Sequence, residues 1–181
     1  VREAGERSPS VDRSLRIARY KSGKYTIERP LHLGASLAIT DAAERKDLTN
    51  LLSAYGLPLG EAFQLRDDML GIFGDPSVTG KPAGDDIREG KRTVLMAMTL
   101  ERADQASAAK ITAALGREDL TADQIEEIRA LITATGAVKV VEDLIEGLLS
   151  NALTAANSDE IDPSARELLI ELATSATRRS H

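Results

Sequence analysis

Apolar residues recur at helical spacing along nearly the whole of this chain, and no stretch shows the period-two alternation of a half-buried strand. Ile125, Ile128, Leu131 and Ile132, continued by Val138, Val141, Leu144, Ile145, Leu148 and Leu149, form a broad stripe of the kind that buries one helix face. Packing in a helical bundle or a dimer seam explains that stripe better than a membrane or ligand role. An all-α fold is therefore expected. The 181 residues suffice for one domain with a substantial core, and neither an internal repeat nor a low-complexity linker divides them.

Capping chemistry sets the expected boundaries. A first helix carries Leu15, Ile17, Ala18 and Tyr20 and approaches "YKSGKYT", where Gly23 loosens it. Thr26 to Ile39 reads as a second, with Pro30 in its first turn. Asp41 has the spacing of an N-cap to Glu44, and the helix it opens bears Leu48, Leu51, Leu52 and Tyr55 on one side. It continues to Phe73, either kinked at Pro58 or restarted there. Gly74 to Gly90, punctuated by glycine and proline, reads as a loop of a length that in compact domains is usually functional or disordered. Helices resume near Thr93. Thr121 with Gln124 opens a run to Asn157, with Gly136 its weak point, and Asp162-Pro163 starts the last helix.

Composition removes several function classes. A net charge of -6 and only five aromatic residues disfavour nucleic acid as the main partner. The absence of cysteine excludes disulfides and thiolate metal sites, and two histidines, His32 and His181, are too few for an imidazole zinc cage. Any metal bound here must use oxygen ligands, which points to hard cations such as Mg²⁺. No apolar run approaches the length of a membrane-spanning helix, and "VREAGERSPS" lacks the apolar core of a secretory signal. A cytoplasmic protein is the expectation.

The chemistry concentrates between Phe63 and Thr93, in "FQLRDDMLGIFGDPSVTGKPAGDDIREGKRT". Gln64, Asp67, Asp68 and Gly71 fall at i, i+3, i+4 and i+7, so one helical face presents an amide, two carboxylates and a gap. Adjacent acids repel unless the face is open to water or a cation sits against it. Protein-bound Mg²⁺ typically takes one or two carboxylates and fills its other positions with water and phosphate oxygens. Lys81 and Lys91 can bind phosphate as point charges, and Asp86 can ligate the ion or orient its water. A double acid alone is more often a solvated surface feature. Its combination with a permissive glycine loop and spaced lysines favours the metal-and-phosphate reading.

Two other site types fail on spacing. "GDPSVTGK" and "GDDIREGK" approach the nucleotide P-loop, but each places five residues between its glycines where the motif has four, lacks the closing Ser or Thr, and follows no strand. Neither histidine is accompanied by a serine or cysteine nucleophile elbow.

In "YKSGKYT", "FQLRDD", "FGDPSVTGK" and "GKPAGDDIREGKRT", in that order, the chain resembles the trans-isoprenyl diphosphate synthases, or polyprenyl synthetases, of the farnesyl and geranylgeranyl diphosphate type. Gly80, Lys81, Gly84, Asp86, Gly90, Lys91 and Thr93 fit the pattern G-K-x-x-G-x-D-x-x-x-G-K-x-T. The resemblance implies an all-helical bundle around a central cavity, usually a homodimer, of which residues 1–181 form the C-terminal portion of a single domain. It implies condensation of an allylic diphosphate with isopentenyl diphosphate to a longer trans-prenyl diphosphate, with Mg²⁺ and lysines stabilising the departing diphosphate. By position, Asp67 and Asp68 resemble the second aspartate-rich motif that ligates Mg²⁺, with Asp86 in support. Lys21, Lys81 and Lys91 resemble diphosphate contacts, Ser22 and Gln64 line the reaction centre, and Phe63 packs beside the prenyl chain.

The chain departs from the family pattern in two places. The second motif is D-D-x-x-D in the family, and Gly71 stands at its fifth position. No first D-D-x-x-D occurs, nor the basic residues for isopentenyl diphosphate; both are expected upstream of Val1, and the chain alone is expected not to turn over. Two other classes compete: a non-catalytic helical partner of a separate synthase, and a terpene cyclase, which Gly71 and Asp75 disfavour at its decisive positions. Product length is set upstream in the family and is not legible here.

Overall fold

A computed structural model describes residues 10–80, 82 and 84–178. Every regular element among them is helical, as the periodicity requires. Helix α1 (Val11–Ala18) runs without a break into a π-helical segment (Arg19–Glu28) and then α2 (Arg29–Ala38). There follow α3 (Ala42–Phe73), the short α4 (Pro76–Thr79) and α5 (Asp85–Arg88), then α6 (Val94–Arg102), α7 (Gln105–Ala114), α8 (Ala122–Ala134), α9 (Ala137–Ala156) and α10 (Pro163–Thr177). Among the described residues no helix is long and apolar enough to cross a membrane.

The caps read from sequence are in place. Asp41 Oδ1 accepts from the backbone N–H groups of Ala43 and Glu44, both at 2.9 Å. Thr121 and Gln124 form a full capping box, and Asp162 caps α10 with Pro163 in its first turn. Gly136, with φ of 73°, separates α8 from α9, because that backbone conformation ends a right-handed helix and suits a residue without Cβ. Pro58 lies inside α3, which continues through it without restarting.

Two stretches differ from the sequence expectation. Gly23 does not loosen the chain; the helix widens there, with the Arg29 N–H donating to the Lys24 carbonyl five residues back. The segment after Phe73 is not loop throughout, since Asp75 caps α4 and Gly84, with φ of 69°, leads into α5. Helices of one turn leave little periodic signal, so composition alone shows only their glycines.

The described residues fall into two compact units, residues 10–16 with 68–141 and residues 17–67 with 142–178. In the second, Tyr55 and Leu59 of α3 pack with Leu149, Ala152 and Ala156 of α9 and Ala173 of α10. The Tyr55 hydroxyl donates to the Leu169 carbonyl at 2.8 Å, and burial pushes its pKa up to about 12. Arg66 donates to both Glu142 carboxylate oxygens at 2.7 Å and to the Thr177 carbonyl at 2.8 Å, tying α3 to α9 and α10. The first unit buries Ile72, Ile87, Val94, Leu95, Met96, Ile111, Ile125, Ile128 and Ile132. Its α3 terminus is fixed to α8 by Arg129, whose Nε donates to the Ile72 carbonyl at 2.6 Å.

Candidate functional site

In the unit of residues 17–67 and 142–178, α3 and the π-helical segment cross through glycine. A Cβ at Gly60 would stand 2.5 Å from the Gly23 Cα and 2.6 Å from the Ser22 carbonyl oxygen, so only a bare backbone fits. This crossing sets Ser22 against α3. Its hydroxyl donates to Gln64 Oε1 at 2.5 Å, and the two side chains are 3% and 6% exposed. Phe63 beside them is half-buried, while Lys21 and Asp67 are exposed. Arg19 pairs with Glu61 at 3.5 Å. Burial raises the Glu61 carboxyl above its ordinary value, against the opposing pull of Arg19.

The unit of residues 10–16 and 68–141 holds the remaining acids. Asp68 near the end of α3 and Asp86 in α5 are 8% and 5% exposed. Gly84 places α5: a Cβ there would meet Ile125 Cγ2 at 2.5 Å, so the turn before Asp86 lies directly on α8. The Asp86 carboxylate in turn rests on Gly71, where a Cβ would lie 2.2 Å from Oδ2. The Lys91 ammonium hydrogen-bonds Asp86 Oδ1 and meets Glu89 Oε2 at 2.7 Å, and the Lys91 N–H donates to the Asp86 carbonyl at 3.0 Å. Burial pulls the Lys91 pKa down, but the hydrogen bonds to Asp86 and Glu89 outweigh it and raise the group above its ordinary value.

The structure thus brings Ser22 to Gln64 in one unit, and Asp86 to Gly71 and Lys91 in the other. Lys81 lies outside the described residues. Asp75, part of the same acidic run, is a helix cap, accepting from the Ser77 N–H at 2.8 Å and its hydroxyl at 2.7 Å. Among the described residues no three acidic or imidazole groups are already gathered to hold an ion. The donors that are present, carboxylates on and against α3, fit a hard cation that takes only one or two of them and completes its shell with water and phosphate oxygens.

Sequence reasoning missed the crossing at Gly23 and Gly60, the contact between Gly71 and Asp86, and the part Glu89 takes in holding Lys91. The first had a signal: Gly56 and Gly60 are one turn apart on α3, the spacing that lets another backbone come close. A Cβ at Gly56 would likewise stand 3.2 Å from the Glu28 Cα.

Residues 2–132 match the family model described as polyprenyl synthetase. A geranylgeranyl diphosphate synthase of Mycobacterium tuberculosis is 32% identical over 151 residues, 83% of this chain and 42% of that protein. A geranylfarnesyl diphosphate synthase of Aeropyrum pernix is 29% identical over 156 residues, 86% of this chain and 46% of that one. The chain therefore spans less than half the length of these curated relatives. Among solved structures, a geranylgeranyl pyrophosphate synthase from Corynebacterium glutamicum, complexed with isoprenyl diphosphate and magnesium, superposes with a TM-score of 0.86 at 45% identity. That match covers 94% of this chain and 47% of the other.

Proposed function

The chain belongs to the polyprenyl synthetase family, and from that premise we propose that it is part of a prenyltransferase that condenses an allylic diphosphate with isopentenyl diphosphate into a longer trans-prenyl diphosphate. The observation that carries the reading is the pair of buried carboxylates, Asp68 at the end of α3 and Asp86 against it, with the Lys91 ammonium on the second. Two carboxylates held at and against one helix end, with an ammonium beside them, are the donor set that a hard divalent ion and a polyanionic substrate use.

In that chemistry the allylic C–O bond breaks, its electron pair leaving with the diphosphate. The double bond of isopentenyl diphosphate attacks the allylic cation, and a proton is lost from the new C–C adduct. Mg²⁺, when bound, neutralises the charge that develops on the departing diphosphate. Asp67 and Asp68 are proposed to hold the ion, and Asp86 to ligate it or orient its water. Lys21, Lys81 and Lys91 contribute positive charge to the diphosphate. The Ser22 hydroxyl is committed as donor to Gln64, which leaves serine lone pairs to face an adjacent cation without offering it a proton. Phe63 supplies apolar surface for the prenyl chain. The assembled form in this reading is a homodimer.

The test is incubation of the protein expressed from its complete reading frame with Mg²⁺, dimethylallyl diphosphate and isopentenyl diphosphate, followed by mass analysis. A product longer by one or more five-carbon units is expected. No product from a folded protein that still binds diphosphate would reject catalysis in favour of a partner subunit, and a cyclised hydrocarbon would reject chain elongation.

A further inference from the structure

Helix α8 reaches two acid-bearing elements of its unit from one face. Ile125 and Arg129 lie one turn apart on that face. Ile125 meets the turn into α5: a Cβ on Gly84 would stand 2.5 Å from Ile125 Cγ2, and Gly84 leads directly into the helix that carries Asp86. Arg129 holds the other element. Its Nε donates to the Ile72 carbonyl at 2.6 Å, one turn past Asp68, where α3 ends and its last carbonyls have no partner within the helix. A guanidinium there also lies at the negative pole of the helix dipole. The connection from α7 into α8 adds two bonds to α5, from the Gly116 N–H to the Ile87 carbonyl at 3.0 Å and from Arg88 Nη2 to the Leu120 carbonyl at 3.1 Å.

Stability alone does not account for Arg129. Its side chain is 15% exposed, with Nη1 3.2 Å from Glu126 Oε2 and Nη2 buried without a partner among the described residues. An unpaired buried N–H is costly, so the guanidinium is set by the Ile72 carbonyl at the expense of its own satisfaction. We propose that α8 is the gauge that spaces the acidic end of α3 from the α5 turn, and that Arg129 and Ile125 are positioning residues for the diphosphate site. The proposal rests on the prenyltransferase reading and extends it to a helix that bears none of the groups assigned to the reaction. Arg129 acts through the backbone at Ile72, and Ile125 through the backbone at Gly84.

The test uses the protein expressed from its complete reading frame. The readout is the Mg²⁺ concentration that half-saturates binding of inorganic diphosphate, by calorimetry, with thermal unfolding of each variant recorded beside it. Arg129→Met keeps the length of the side chain and removes its donors, and is expected to raise the half-saturating Mg²⁺ about 10-fold, the lower end of the usual cost of losing a group that orients metal ligands. Arg129→Lys, whose ammonium can still donate to the Ile72 carbonyl, is expected to recover most of that loss. Thr121→Ala weakens the same helix at its cap, away from both contacts, and is expected to leave the Mg²⁺ dependence unchanged. An unchanged Mg²⁺ dependence in Arg129→Met overturns the proposal. So does a shift in Thr121→Ala as large as that in Arg129→Met, because it would assign the effect to helix stability. An Arg129→Lys protein no better than Arg129→Met overturns the role of the Ile72 contact. Should Arg129→Met fail to fold, Ile125→Leu, which keeps the volume and takes the methyl group off Gly84, decides: a raised half-saturating Mg²⁺ supports the proposal and an unchanged one overturns it. Wild-type protein that shows no Mg²⁺-dependent diphosphate binding overturns the prenyltransferase reading itself, and this proposal with it.

Discussion

Gly60→Ala places a methyl group where α3 meets the π-helical segment. The new Cβ would lie 2.5 Å from the Gly23 Cα, 2.6 Å from the Ser22 carbonyl oxygen and 2.7 Å from the Gly23 nitrogen. These are backbone atoms that cannot rotate away, so the helices must separate. Overpacking costs about 1–3 kcal/mol, and backbone walls put this case near about 3. Separation also breaks the buried hydrogen bond from Ser22 to Gln64, worth about 1 kcal/mol. Replacing glycine in a helix interior returns about 1 kcal/mol of propensity. The net is a loss of about 3 kcal/mol, or a melting point lower by about 6–12 °C in a protein of this size. Gly34→Ala is the control: its Cβ meets nothing within 4 Å, and it is expected to stabilise by about 0.5–1 kcal/mol. Denaturant unfolding of both variants is the assay. A Gly60→Ala protein as stable as Gly34→Ala would refute the close crossing and the seating of Ser22 that depends on it.

Other expectations follow from single contacts. Burial raises the Tyr55 hydroxyl from 10.0 to about 12, so its contribution to stability is complete below pH 10 and is lost as pH climbs toward 12; Tyr55→Phe should flatten that part of an alkaline unfolding profile. Thr121→Ala removes the capping box of α8 and should cost about 1 kcal/mol, read by denaturant titration. Asp67→Ala, at an exposed position, should leave thermal stability nearly unchanged while lowering turnover of the complete protein at least about 100-fold. Unchanged turnover at saturating Mg²⁺ would remove Asp67 from the ligand set.

The helical class and most helix starts were legible because they depend on local chemistry. Asp41, Thr121 and Asp162 each cap the helix that follows, and the stripe from Ile125 to Leu149 buries Ile125, Ile128, Ile132, Val141, Ile145 and Leu149. Gly136 broke the long run as its missing Cβ suggested. What escaped depends on elements far apart in sequence. Gly23 lies in the widened helix with Gly60 against it, and nothing local at Gly23 contains that contact. Gly71 looked like a missing acid, since sequence shows the absent side chain and not the Asp86 carboxylate packed against it. Lys91 was legible as a cation, but its grip on Asp86 and Glu89 required the turn that Gly90 makes at φ of 66°.

The claim beneath all of this is that the carboxylates at residues 67 and 68 recruit a divalent ion, and through it a diphosphate. Calorimetric titration of inorganic diphosphate into the complete protein, with and without Mg²⁺, tests it most directly beside the double variant Asp67→Asn with Asp68→Asn. Binding that requires Mg²⁺ in the wild type and disappears in the folded double variant is the expected result. Diphosphate binding that persists in that variant, or that needs no metal in the wild type, would contradict the account.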